Sequence, residues 1–162
     1  MPYLIDGNNV MGQLVGWHKD KPRARRQVLD ELAQFAVAKR ASVTVVFDGA
    51  PEKHFADGAS YRGVRLFYAE RGSNADERIK RLVEDARERR TLLVVTSDRE
   101  LASYVRSCGA QVIRSGDFRR RMAEATAAAG HASQEQTPNI SQQEVPEWMR
   151  YFGVSPEDDE EQ

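Results

Sequence analysis

Apolar positions recur along this chain with two different periods. Five short runs are mostly apolar: Tyr3–Ile5, Val43–Phe47, Val64–Tyr68, Leu92–Thr96 and Gln111–Ile113. The second and fourth are β-branched and almost uninterrupted, the pattern of strands buried on both faces of a parallel sheet. Between most of these runs the spacing lengthens to that of a helix. Pro22 suits a first helical position, and Val28, Leu32, Phe35 and Ala36 then share one stripe. Asn74 reads as an N-cap with Glu77 three residues on, and Ile79, Leu82, Val83 and Ala86 form the buried face behind it. A third helix is predicted from about Arg99 to Ser107, with Leu101, Tyr104, Val105 and Cys108 inward and Gly109 closing it. A fourth is predicted from Asp117 to about Ala128, with Asp117 as its N-cap.

Strands alternating with helices predict an α/β layer fold with a mostly parallel sheet of about five strands. Gly49–Gly63 interrupts the alternation: it joins two strands without a helical stripe, and a loop of that length is often functional or mobile. The folded body is expected to span residues 1–128. Residues 129–143, rich in Ser, Gln, Thr and Asn, read as a flexible linker. Residues 144–153 place Val145, Trp148, Met149 and Phe152 on one helical face, as a short amphipathic helix that docks on the body or engages a partner groove. Residues 154–162 form an acidic tail, expected to be disordered.

Charge sharpens this division. Residues 1–128 hold 23 Lys+Arg against 17 Asp+Glu, whereas residues 129–162 hold one Arg against eight acids, so a net charge of −1 over 162 residues conceals a basic body with an acidic tail. That split is a signature of nucleic-acid interaction, although solvated helix faces give the same count. A single cysteine, Cys108, excludes an internal disulfide and suits a reducing compartment. The apolar runs are too short to span a bilayer, and the start has neither a basic n-region nor a cleavage site. The expected location is the cytoplasm.

Three predicted strands end directly in aspartate: Asp6, Asp48 and Asp98. A fourth acid, Asp76, lies in the first turn of the helix capped by Asn74. In a parallel sheet these positions share the carboxyl edge, where ligands bind. Each acid has an ordinary explanation alone, as a cap, a dipole partner or a turn former. Together they would repel unless a hard divalent cation, Mg²⁺ or Mn²⁺, offsets the charge. Such an ion can activate water and clamp the oxygens of a phosphodiester. Zinc is disfavoured, because His18, His54 and His131 lack ligand spacing with Cys108. No GxxxxGK[ST] loop, GxGxxG turn or GxSxG elbow is present.

The motifs Asp6-Gly-Asn-Asn9, Phe47-Asp48-Gly, Ser73-Asn-Ala-Asp76-Glu77 and Thr96-Ser-Asp98-Arg-Glu resemble, in order and spacing, the NYN domain. The likeness is to its bacterial YacP-type branch, within the PIN-like nuclease superfamily, and covers about residues 1–125. It implies a Rossmann-like, three-layer sheet and a divalent-metal-dependent ribonuclease, and the expected reaction is endonucleolytic hydrolysis of single-stranded RNA. On that likeness Asp6, Asn9, Asp48, Asp76 and Asp98 form the catalytic set, with Asp6, Asp76 and Asp98 on Mg²⁺ or Mn²⁺ and Asn9 orienting a water or a carboxylate. Candidate RNA contacts are Lys19, Lys21, Arg23, Arg25 and Arg26, then Arg62 and Arg65, then Arg119, Arg120 and Arg121. Trp17 or Tyr61 could stack a base, though packing roles suit both. No RNA-reading module is evident, so selectivity would come from the loops or from a partner such as the ribosome or another RNA-processing assembly. The rival readings are a non-catalytic RNA-binding domain on the same fold and a phosphatase acting on a small phosphoester. Asn8 removes the paired aspartates that many such phosphatases carry on the first strand.

Overall fold

The apolar runs become parallel strands in the computed structural model, which describes residues 2–49, 51, 55–69 and 74–136. In chain order the elements are β1 (Pro2–Asp6), α1 (Gly7–Met11), α2 (Lys21–Lys39), β2 (Ser42–Asp48), β3 (Ser60–Tyr61), β4 (Val64–Ala69), α3 (Ala75–Asp85), β5 (Leu93–Val95), α4 (Arg99–Ser107), β6 (Gln111–Ile113) and α5 (Ser115–Gln136). The sheet order is β3-β4-β2-β1-β5-β6. Only β3 runs antiparallel to its neighbour.

Register explains why the central strands read as continuous apolar runs. Ile5 pairs with Val45 on one side and Val95 on the other, and all three are fully buried. They face one layer, built from α1, α2 and the first turns of α5 around Leu32, Phe35 and Phe118. The intervening positions Leu4, Val46 and Val94 face the opposite layer, where Ile79 and Val83 of α3 meet Leu101 and Val105 of α4. Each fully buried aliphatic side chain contributes about 1.5–3 kcal/mol. Two apolar faces per strand leave no polar alternation to see in the sequence.

Several expectations change. Gly49–Gly63 is not a plain loop: Ser60 and Tyr61 form β3, which pairs with Arg65 and Val64. Arg62 and Gly63, at φ 48° and 89°, make the two-residue turn between them in the left-handed conformation that hairpins favour. Asp57 ties the preceding segment down, accepting from the Tyr68 N–H at 2.8 Å and pairing with Arg78 at 3.2 Å. A five-residue helix, α1, follows β1 directly and has no counterpart in the periodicity. α5 begins at Ser115, so Asp117 is not its N-cap. It lies inside the first turn, where the helix dipole favours an acid, and pairs with Arg120. The helix also continues through residues 129–136, into the expected linker, because alanines and glutamines sustain it and Gly130 alone does not stop it.

The chain divides at residues 126 and 127. All that follows concerns the first unit. The expected helix at 144–153 and the acidic tail at 154–162 lie outside the described residues. Among the described residues no helix is long and apolar enough to cross a membrane.

Candidate active site

The chain lays β2 and β4 outward on one side of β1, then returns to place β5 and β6 on the other. Such a reversal opens a crevice at the carboxyl ends of the two strands that flank it. Asp6 ends β1 at this point, and Thr96 follows β5. The two meet: Thr96 Oγ1 donates to Asp6 Oδ2 at 3.1 Å, across 90 residues of sequence. Asn9 Nδ2 donates to the same oxygen at 2.9 Å from the first turn of α1.

Each remaining acid is held by a backbone donor. Asp48 Oδ1 accepts from the Ala75 N–H at 2.7 Å, which joins the end of β2 to the start of α3. The Asp48 N–H donates to Asn8 Oδ1 at 2.9 Å, and Arg25 Nη2 donates to the Asp48 carbonyl oxygen at 2.6 Å. The Arg25 guanidinium lies over the Phe47 and Tyr68 rings at 5.7 and 5.8 Å. Asp98 caps α4, its Oδ1 accepting from the Glu100 and Leu101 N–H groups at 2.9 and 3.1 Å. Its own N–H donates to Thr96 Oγ1 at 3.2 Å, so one hydroxyl links Asp98 to Asp6.

Electrostatics link the four acids through Asp76, which interacts with each of the other three. Asp6 is 2% exposed, and its pKa is raised to about 7. Burial is the main cause, and the charges of Asp76 and Asp48 add to it, while the Thr96 and Asn9 hydrogen bonds oppose it. Asp76 is also raised, first by partial burial and then by Asp98, through its charge and a shared hydrogen bond, with Asp48 adding and Lys80 opposing. The acids predicted from four separate motifs are therefore neighbours.

They are not, however, a closed cage. Among the described residues no group of three or more His, Cys, Asp or Glu side chains is gathered closely enough to hold an ion by itself. The reason is visible in the hydrogen bonds: Asp6 turns to Thr96 and Asn9, Asp48 to Ala75, and Asp98 to the α4 amides. The donor set is all hard oxygen. It fits an ion such as Mg²⁺, which keeps several waters and takes one or two carboxylates at a time, better than an ion that needs a full protein shell.

The basic candidates separate by position. Lys19, Lys21, Arg23 and Arg26 are exposed at the start of α2, which descends from the same sheet edge as the acids, and the Lys21 ammonium lies 5.9 Å from the Trp17 ring centre. Arg62 and Arg65 lie at the opposite edge, since Arg65 pairs in register with Thr44 whereas Ala69 pairs with Asp48. They are not beside the acids. Arg119 is engaged with Glu31 of α2 at 3.1 Å, and Arg120 with Asp117. His54 lies outside the described residues. Asn8 and Thr96, which orient Asp48 and Asp6, carry no charge and were not distinguished by spacing. The signal available was their place beside strand-end acids.

The comparisons with known proteins agree with this architecture. A family model described as the YacP-like NYN domain matches residues 3–150. Two crystal structures of Rae1 (YacP) from Bacillus subtilis are similar, each at 21% identity. That of a single-substitution mutant gives a TM-score of 0.73 over 89% of this chain and 88% of that one. The other gives 0.70 over 94% and 88%. No curated protein matches the chain. At that identity the crystal structures show the fold, but the family model spans nine-tenths of the sequence, and with it the chain belongs to the YacP-like NYN domain family, a family of nuclease-type RNA-processing domains.

Proposed function

We propose that the protein is a divalent-metal-dependent endoribonuclease that hydrolyses phosphodiester bonds of single-stranded RNA in the cytoplasm. The observation that carries this reading is the electrostatic convergence of Asp6, Asp48, Asp76 and Asp98 at the point where the sheet order reverses. A purely structural role for four acids would not crowd them where burial and mutual repulsion hold two of them above their ordinary range.

Bound Mg²⁺ or Mn²⁺ would supply charge neutralisation for the phosphodiester and a more acidic water. Asp6, Asp76 and Asp98 would hold it, one or two directly and the rest through water. The chain's own contribution is preorganisation. Asn9 and Thr96 fix Asp6 Oδ2 from two sides, so the buried carboxyl has one orientation. Asn9 also accepts from the Ser97 N–H at 3.0 Å, tying α1 to the segment that carries Asp98. Asn8, Ala75 and Arg25 fix Asp48 at both its side chain and its backbone. Asp6 keeps its proton up to about pH 7, and a bound cation would favour its ionised form.

Removal and return of the ion tests this. Treating the protein with EDTA should abolish cleavage of a single-stranded RNA, and excess Mn²⁺ should restore it. Cleavage indifferent to chelation would defeat the metal mechanism. Hydrolysis of a generic phosphate ester with none of RNA would make the protein a phosphatase instead.

A further inference from the structure

A cleft of about 510 Å³ meets the acids at Thr96 and Asp98 and runs on past residues that the mechanism above does not use. At one end it is lined by Thr96, Ser97 and Asp98, and along its length by Arg99, Arg106 and Arg114. Arg99, Ala102 and Arg106 follow each other at helical spacing on one stripe of α4, with the small Ala102 between the two long side chains. Val112 of β6 forms part of the opposite wall, and Arg114 stands just past the end of that strand. All three arginines are exposed. Among the described residues none of the three makes an ion pair, whereas Arg78, Arg119 and Arg120 all do.

Three unneutralised guanidinium groups around one concave surface form a site for anions. Its size and direction narrow the choice. Arg99 and Arg106 are seven residues apart on one helix, so their attachment points are separated by about 10 Å along its axis. A single phosphate reaching Asp98 would leave the far arginine without a partner. A strand with a phosphate at every nucleotide would meet all three in turn. From these observations we infer that this cleft is the backbone-binding groove for the strand flanking the scissile bond, with Arg114 and Arg99 holding the phosphate nearest the acids and Arg106 one further along. The inference rests on the reading of the chain as an enzyme of RNA and adds where the substrate lies: over α4 and the β6 edge. Val112 and Ala102 offer apolar contact but no base-reading donors, so the groove grips the backbone without selecting sequence.

The test measures binding apart from cleavage. The full-length protein, kept in EDTA, is titrated against a fluorescent single-stranded RNA of mixed sequence, about 12 nucleotides long. Anisotropy is followed across a salt series. Arg106→Ala and Arg114→Ala should each weaken binding about fivefold and lower the salt slope by about 0.7, with roughly twice that slope change in the double variant. Arg65→Ala, at the opposite sheet edge, should change neither. Unchanged affinity and slope in the double variant would overturn the groove, even if Mn²⁺-dependent cleavage is intact. Inorganic pyrophosphate displacing the RNA at equal phosphate concentration would also overturn it, by showing a small-anion site. If the arginine variants lose RNA but the wild type never cleaves it, the groove stands and the nuclease reading falls.

Discussion

Asp6→Asn is expected to cut RNA cleavage by two to three orders of magnitude, roughly what the loss of one preorganised charge in an active site costs. The same substitution should make the ion-free protein more stable at neutral and alkaline pH. The sign follows from the direction of the shift. Asp6 titrates at about 7 in the folded protein against an ordinary 3.8. Below about pH 4 both folded and unfolded chains carry the proton, and nothing is lost. Between these values the unfolded chain ionises while the folded one holds its proton, so stability falls as pH rises. Above about pH 7 the loss is complete, on the order of 4 kcal/mol for a shift of this size. Asparagine never ionises and escapes the loss, while its oxygen can still accept from Thr96. Urea denaturation in EDTA at about pH 5 and pH 8 reads this directly. A wild-type protein equally stable at both would show that Asp6 is not held in its neutral form. Adding Mg²⁺ to the wild type should recover the lost stability at the higher pH, because an ion bound only to the folded state stabilises it.

Gly7→Ala should be the most damaging single methyl group in the body. A Cβ at this position would lie 2.5 Å from Phe47 Cδ1 and 2.9 Å from the Val46 carbonyl oxygen. Phe47 is fully buried and packs against Tyr68, with ring centres 6.4 Å apart, so it has nowhere to go. Overpacking of this kind costs about 3 kcal/mol, a fall in melting temperature of roughly 10 °C. The displaced element is α1, which carries Asn8 and Asn9. Cleavage should therefore drop at temperatures where the variant is still folded. Gly116→Ala is the control: no atom lies within 4 Å of its Cβ position, and melting should be nearly unchanged.

The sheet and the acids were legible for the same physical reason. A strand buried on both faces must be apolar throughout, so Val43–Phe47 and Leu92–Thr96 announced themselves, and a polar residue that ends such a run is conspicuous. Asp48 was visible that way, whereas Asp98 lies three residues beyond β5 as the N-cap of α4 and not at the strand end; Asn74 was visible as a cap because its side chain does accept from the Glu77 N–H at 2.9 Å. What could not be read has equally definite causes. β3 has two residues, too few for any period, and its turn uses Arg62 in place of the asparagine or aspartate that usually marks such a hairpin. α1 is shorter than two turns. Arg62 and Arg65 adjoin a long loop in sequence, but the register of β4 carries them to the far edge. The cleft along α4 is not legible in the sequence, because Arg99 and Arg106 look like a solvated helix face until β6 is placed beside them. Thr96 closes the pair with Asp6 only through tertiary structure, since no local rule joins residues so distant.

That separation sets when the site can be assembled. Of the six strands, β1 comes before the others in the chain and β5 comes after all but one, yet the two are neighbours at the centre of the sheet. A nascent chain already holds Asp6, Asp48 and Asp76 but lacks the strand that brings Thr96 and Asp98 to them. Long-range pairing of this kind is made late in folding. A chain cut short before β5 would therefore lack the assembled site and, on the function proposed above, would be inert towards RNA.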